Sequence, residues 1–138
     1  MAYTDNFRRQ HQEILDIVGE MHGRLKPDQA AADPKALRTL LSALAGKLTL
    51  HLAMEDKALY PRLVERDFEN SRAIANTFSQ EMGGLAQAFA SYNQKWQATA
   101  IGADPSGFVR ETQEVFAALG RRIGRENKEL YPLADRML

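Results

Sequence analysis

Displacing the chain against itself by 71 residues brings matching residues into one ungapped register. Phe7 falls on Phe78, Ala32-Asp33-Pro34 on Ala103-Asp104-Pro105, and Leu48 on Leu119. Glu55 falls on Glu126, Lys57 on Lys128, and Leu59-Tyr60-Pro61 on Leu130-Tyr131-Pro132. A single Asp-Pro pair is ordinary helix punctuation, but three separated blocks at one offset are not explained that way. The 138 residues therefore read as one domain, residues 1–138, made of two pseudo-repeats, about 1–71 and 72–138. Whatever supersecondary unit one half forms, the other half must form too.

That unit is a pair of helices. Phe7, Ile14, Leu15, Val18, Met21 and Leu25 recur at three- and four-residue spacings, which predicts a helix from about Asp5 to Leu25. A short Ala/Asp loop follows Lys26-Pro27. Asp33-Pro34 then supplies an N-cap and a first-turn proline, which open a second helix carrying Leu37, Leu40, Leu41, Leu44, Leu48, Leu52 and Leu59. Pro61 should kink or end it, because proline lacks a backbone donor and crowds the preceding turn. The second half predicts a helix from about Glu69 to Trp96 or Thr99, a loop with Gly102, and a helix from Asp104-Pro105 to about Tyr131. Nothing alternates with period two for long enough to suggest a strand. The expected fold is all-α, an up-down-up-down antiparallel four-helix bundle.

Bulk composition narrows the function classes. Lys+Arg and Asp+Glu stand at 18 each, so no net field recruits nucleic acid or an anionic membrane. Cysteine is absent, which removes disulfides and thiolate ligands. No apolar run reaches membrane-spanning length, and Met1–Asn6 lacks the apolar core of a signal peptide, so a cytoplasmic protein is expected. A domain of this length can bury enough apolar surface to fold without a metal staple.

The informative residues are those that interrupt the apolar stripes. His51 and Glu55 lie one helical turn apart on the inward face of the second helix, a spacing suited to chelating a divalent cation. The bland alternative is a surface His–Glu hydrogen bond at the same spacing. His11, three residues before Ile14, also faces inward, as a ligand or as a satisfied core histidine. His22 is about 16 Å further along at 1.5 Å per residue, too far to share a cation with His11, and suits the helix end. Phe89, Trp96, Phe108 and Phe116 are expected in the core. Tyr60 and Tyr131 can reach toward the end of the site, but the expectation is that both pack helix ends beside their prolines.

His11, then His51-Leu-Ala-Met-Glu55, then Leu59-Tyr60-Pro61, resembles the hemerythrin/HHE cation-binding family across nearly the whole chain. In that family each half supplies one His from its first helix and a His-x-x-x-Glu from its second. The resemblance implies a bundle holding two irons bridged by two carboxylates, in proteins that bind oxygen, sense oxygen or redox state, or handle iron. The second half departs from this pattern: Met82 stands at the counterpart of His11, Arg122 at that of His51, and only Glu126 remains. By resemblance, His11, His51, Glu55 and Glu126 are the complete set for one iron, while the His ligands of the other are gone. Glu81, beside Met82, points about 100° away from it around the helix.

Arg122 is four residues before Glu126 and can replace the second cation's charge by pairing with Glu55 or Glu126. Two versions follow: a single cation in a two-His, two-carboxylate site, or Arg122 paired with both glutamates and no metal at all. Oxygen carriage by two irons is disfavoured in either. No phosphate loop, catalytic Ser/His/Asp spacing or nucleophilic cysteine appears, so no enzyme is expected. The expectation is a metal-binding protein with one divalent cation, iron first and zinc or manganese next, in sensing or metal handling. The alternative is a metal-free bundle serving as a scaffold or interaction module, with its protein partner or homodimer unspecified.

Overall fold

The computed structural model describes residues 2–138, and every regular element among them is helical. Four long helices carry the architecture: α1 (Asp5–His22), α3 (Pro34–Met54), α5 (Ser71–Lys95) and α7 (Pro105–Arg125). Between them lie short helices α2 (Pro27–Ala32), α4 (Tyr60–Arg66) and α6 (Ala98–Ala103), and α8 (Tyr131–Met137) closes the chain. α1 packs on α3, α3 on α5, α5 on α7 and α7 on α1. The stretches expected to be loops after Lys26 and around Gly102 are α2 and α6. Six residues suffice for one helical turn, and the buried side chains of Ala30 and Ile101 anchor each turn on the core.

The Asp-Pro pairs open their helices as expected. Asp33 accepts a hydrogen bond from the Ala36 backbone N–H (3.2 Å), and Asp104 accepts one from Gly107 (3.0 Å). The inward stripe of α1 is Phe7, His11, Ile14, Ile17 and Met21; that of α3 is Leu37, Leu41, Leu44, Leu48 and His51. Along α1, α3 and α7 the polar positions fall between two apolar clusters. One contains Ile14, Leu44, Leu48, Phe116 and Ile123; the other contains Phe7, Leu59, Leu63, Phe78 and Leu130. Phe89, Trp96, Phe108 and Phe116 are all buried in the first cluster.

The chain does not stop at Pro61. After Met54 it widens into a π turn, Glu55–Leu59, and then resumes as α4. Its second counterpart is Glu126–Leu130, followed by α8. The Tyr60 N–H bonds back five residues to the Glu55 carbonyl, and the Tyr131 N–H to that of Glu126. Widening the turn just ahead of Pro61 and Pro132 relieves the ring's clash with the preceding carbonyls, so the helix continues past each proline.

Candidate metal centre

Each π turn begins at a glutamate, and those two glutamates meet His11 and His51 inside the bundle. His11 comes from α1, His51 from the last turn of α3, and Glu55 and Glu126 from the first positions of the two π turns. One donor atom from each lies within 4.8 Å of the other three, and no member is more than 2% exposed. His11 Nε2 is 3.0 Å from Glu126 Oε1, and His51 Nε2 is 3.3 Å from Glu55 Oε1. Metal–ligand bonds of about 2.1 Å put neighbouring donors about 3 Å apart and opposite ones about 4.2 Å apart, so the cluster is close to the size a cation needs.

The outer nitrogens orient both rings. His11 Nδ1 donates to Asn127 Oδ1 (2.9 Å), and His51 Nδ1 donates to Gln10 Oε1 (2.7 Å). Gln10 Nε2 is turned to Met54 Sδ (2.9 Å), which fixes its oxygen on the histidine. With the proton on Nδ1, each Nε2 presents a lone pair to the centre, the tautomer a metal requires. Gln10 and Asn127 are absent from the sequence reading. Gln10 is merely the neighbour of His11, and Asn127 reaches its partner only because α1 packs against α7.

Both tyrosines point into the site instead of packing a helix end. Tyr131 donates to Glu55 Oε2 (2.7 Å), and its Oη lies 3.1 Å from His11 Nε2 and 3.4 Å from His51 Nε2. Tyr60 donates to Glu126 Oε2 (3.3 Å). Each tyrosine thus bonds the glutamate of the opposite half. In a regular α-helix a residue five positions after the glutamate would be rotated by about 140°, whereas the five-residue π turn brings it back onto the same face. The Glu-x-x-x-x-Tyr-Pro spacing, present in both halves, is the signal that could have shown this.

Protons in the cluster are unevenly held. Burial, and then the charge of Glu55, keep the Glu126 carboxyl well above the ordinary range. Burial opposes charge on Glu55 as well, but bonding to His51, Glu126 and Tyr131 outweighs it and leaves that carboxyl below its ordinary value. Burial, reinforced by the charge of His51, lowers His11 to about 4. A protonated Glu126 can satisfy His11 Nε2, and Tyr131 satisfies Glu55 Oε2. When His51 carries only its Nδ1 proton, its bond to Glu55 is lost, and Glu55 Oε1 is left buried without a hydrogen-bond partner, 3.3 Å from the Nε2 lone pair. A positive charge is missing at that point, which is the situation a cation relieves.

Arg122 does not supply that charge by contact. It pairs with Glu81, which also accepts from Arg125 (2.9 Å), and both guanidinium groups lie over the Phe78 ring, at 4.9 and 4.8 Å. Glu81 is therefore occupied at the surface and does not swing toward the donors. Met82 is buried, filling space where a second histidine would stand. The expected pairing of Arg122 with Glu55 or Glu126 is replaced by this outer cluster, because Glu81 on α5 offers a half-exposed carboxylate at far lower desolvation cost.

A model of the hemerythrin HHE cation binding domain matches residues 3–134. The chain belongs to the hemerythrin HHE cation-binding domain family. Neither a curated protein nor a solved structure matches it. For an HHE domain the arrangement is one-sided: the donors gather around His11 and His51, and Met82 and Arg122 occupy the other side. No helix among the described residues is long and apolar enough to cross a membrane.

Proposed function

We propose that this HHE domain is a mononuclear metal-binding protein, with His11, His51, Glu55 and Glu126 as the protein ligands of one cation. The observation that carries the reading is the buried Glu55 Oε1, without a hydrogen-bond partner, facing the inward Nε2 of His51 inside a donor cluster whose outer ring nitrogens are already bonded. The donor set of two imidazoles and two carboxylates suits iron first, with zinc and manganese compatible. A bound iron would supply a redox-active, Lewis-acidic centre. The residues around it orient the ligands and exclude bulk water.

The reading includes an up-down-up-down antiparallel order for α1, α3, α5 and α7, supported by the contacts of each long helix with its chain neighbours. A single cation fits sensing or metal handling better than oxygen carriage, because reversible two-electron transfer to oxygen needs two irons. No nucleophile or oxyanion-stabilising pair accompanies the histidines, so the role is binding and not catalysis.

The competing reading is a metal-free scaffold, and one observation favours it: a proton on His51 would also satisfy Glu55 Oε1. Metal analysis of protein purified without chelator separates the two. One equivalent of metal is expected in the wild type, with loss of nearly all of it in His51→Ala. A stoichiometry near zero after growth with added iron, zinc and manganese overturns the mononuclear reading.

A further inference from the structure

Resting on the reading of this cluster as a metal centre, we propose that Tyr131 is a fifth ligand, binding the cation through its phenolate oxygen and making the site selective for ferric iron. Its Oη lies 2.7 Å from Glu55 Oε2, 3.1 Å from His11 Nε2 and 3.4 Å from His51 Nε2. These separations match the roughly 3 Å expected between neighbouring ligands on one ion. A phenol with one proton can satisfy only one of three such acceptors. Glu55 takes that proton, so the phenolic oxygen has none to give to either imidazole nitrogen.

The ring cannot turn away. Tyr131 is fully buried, stacked on His11 at 5.1 Å and packed against Phe7 at 5.9 Å. Its counterpart Tyr60 meets only Glu126, at 3.3 Å, and reaches neither histidine. The two tyrosines, equivalent in the repeat, are thus unequal at the centre, and the difference follows the surviving histidines.

Donor hardness points to the kind of ion. On binding, the Tyr131 O–H bond would break with its electron pair forming the bond to the ion, and the protons of Tyr131 and Glu126 would pass to solvent. Phenolate is a hard oxygen donor, so ferric iron gains most from it and zinc least.

The test is the visible spectrum of protein loaded with ferric nitrilotriacetate, read alongside bound iron per chain. One equivalent of iron with a ferric–phenolate charge-transfer band is expected in the wild type and in Tyr92→Phe, whose hydroxyl pairs with Thr112 (2.6 Å) away from the donors. Tyr131→Phe should lose the band and bind ferric iron about 100-fold more weakly, with a much smaller change for zinc. Iron bound by the wild type without a band, or a band that survives in Tyr131→Phe, overturns the proposal while leaving the four-ligand site standing. Wild type that binds no metal of any kind overturns the underlying reading as well. Should Tyr131→Phe fail to fold, tyrosinate modes in the resonance Raman spectrum of the iron-loaded wild type decide: their presence supports the assignment, and their absence refutes it.

Discussion

His11 shows how a single side chain couples this site to stability. Its ring is 2% exposed, and burial with the nearby His51 lowers its pKa from the ordinary 6.5 to about 4. Between those values the unfolded chain binds a proton that the folded chain does not, so stability rises with pH across the window. The contribution is complete above 6.5 and is lost as pH falls toward 4. Glu126 runs the other way: its raised carboxyl favours the cation-free fold at low pH and less as the pH climbs through its folded value. Thermal melts of chelator-treated protein should lose about 2–3 kcal/mol between pH 7 and pH 4 through His11. His11→Asn, which removes the titrating ring, should show a shallower slope over that range. Equal slopes in the two proteins would mean that His11 is not held neutral by the fold.

Helix caps set a second test at the scale of single elements. Gly46 on α3 has open space where a Cβ would go, whereas a Cβ on Gly107 of α7 would collide with the Asp104 carboxylate that caps that helix. Gly46→Ala should stabilise by about 0.5–1 kcal/mol. Gly107→Ala gains the same propensity but displaces a cap worth about 1 kcal/mol, so it should be neutral or destabilising. Denaturant unfolding of both variants checks the pair, and equal gains would show that Asp104 contributes little. The same elements explain what was legible in advance. Asp-Pro and three- and four-residue periodicity are local signals that located all four long helices, and His-x-x-x-Glu put His51 and Glu55 on one face; His11 and Glu126 joined them as one set only through the family resemblance. The short helices α2 and α6 were missed because one turn is too brief to show a period. The π turns were missed because a proline after a helical stripe reads as a kink or a stop, not as a widened turn. Losing them meant losing the tyrosines, since the inserted residue is what turns Tyr60 and Tyr131 inward. Arg122 was misplaced for a different reason: its four-residue spacing from Glu126 fixed a face, but its partner Glu81 lies on another helix, a contact no local pattern encodes.

At the scale of the whole molecule, the centre is flanked along its helices by two apolar clusters, which hold the bundle together without a cation. Removing metal should therefore leave the helical content intact and lower only the melting temperature, by the amount that mass action confers on the loaded form. The same enclosure constrains how a cation arrives. His11, His51, Glu55, Glu126 and Tyr131 are all at most 2% exposed, and Tyr60 is only slightly more so. A hydrated ion cannot reach the donors unless the bundle opens locally, and such openings cost free energy that depends on packing next to the site. Loading should accordingly proceed in two stages, opening and then capture. The observed rate should rise with metal concentration only until opening becomes limiting, and then stay flat. Leu44→Ala, which cuts the adjacent apolar cluster without touching a donor, should destabilise by about 2–5 kcal/mol and raise that plateau, with one equivalent still bound at the end. Stopped-flow loading across a range of metal concentrations reads both features. A rate that stays proportional to concentration, and is unchanged in Leu44→Ala, would mean that the donors are reached through a standing channel and not by opening of the bundle.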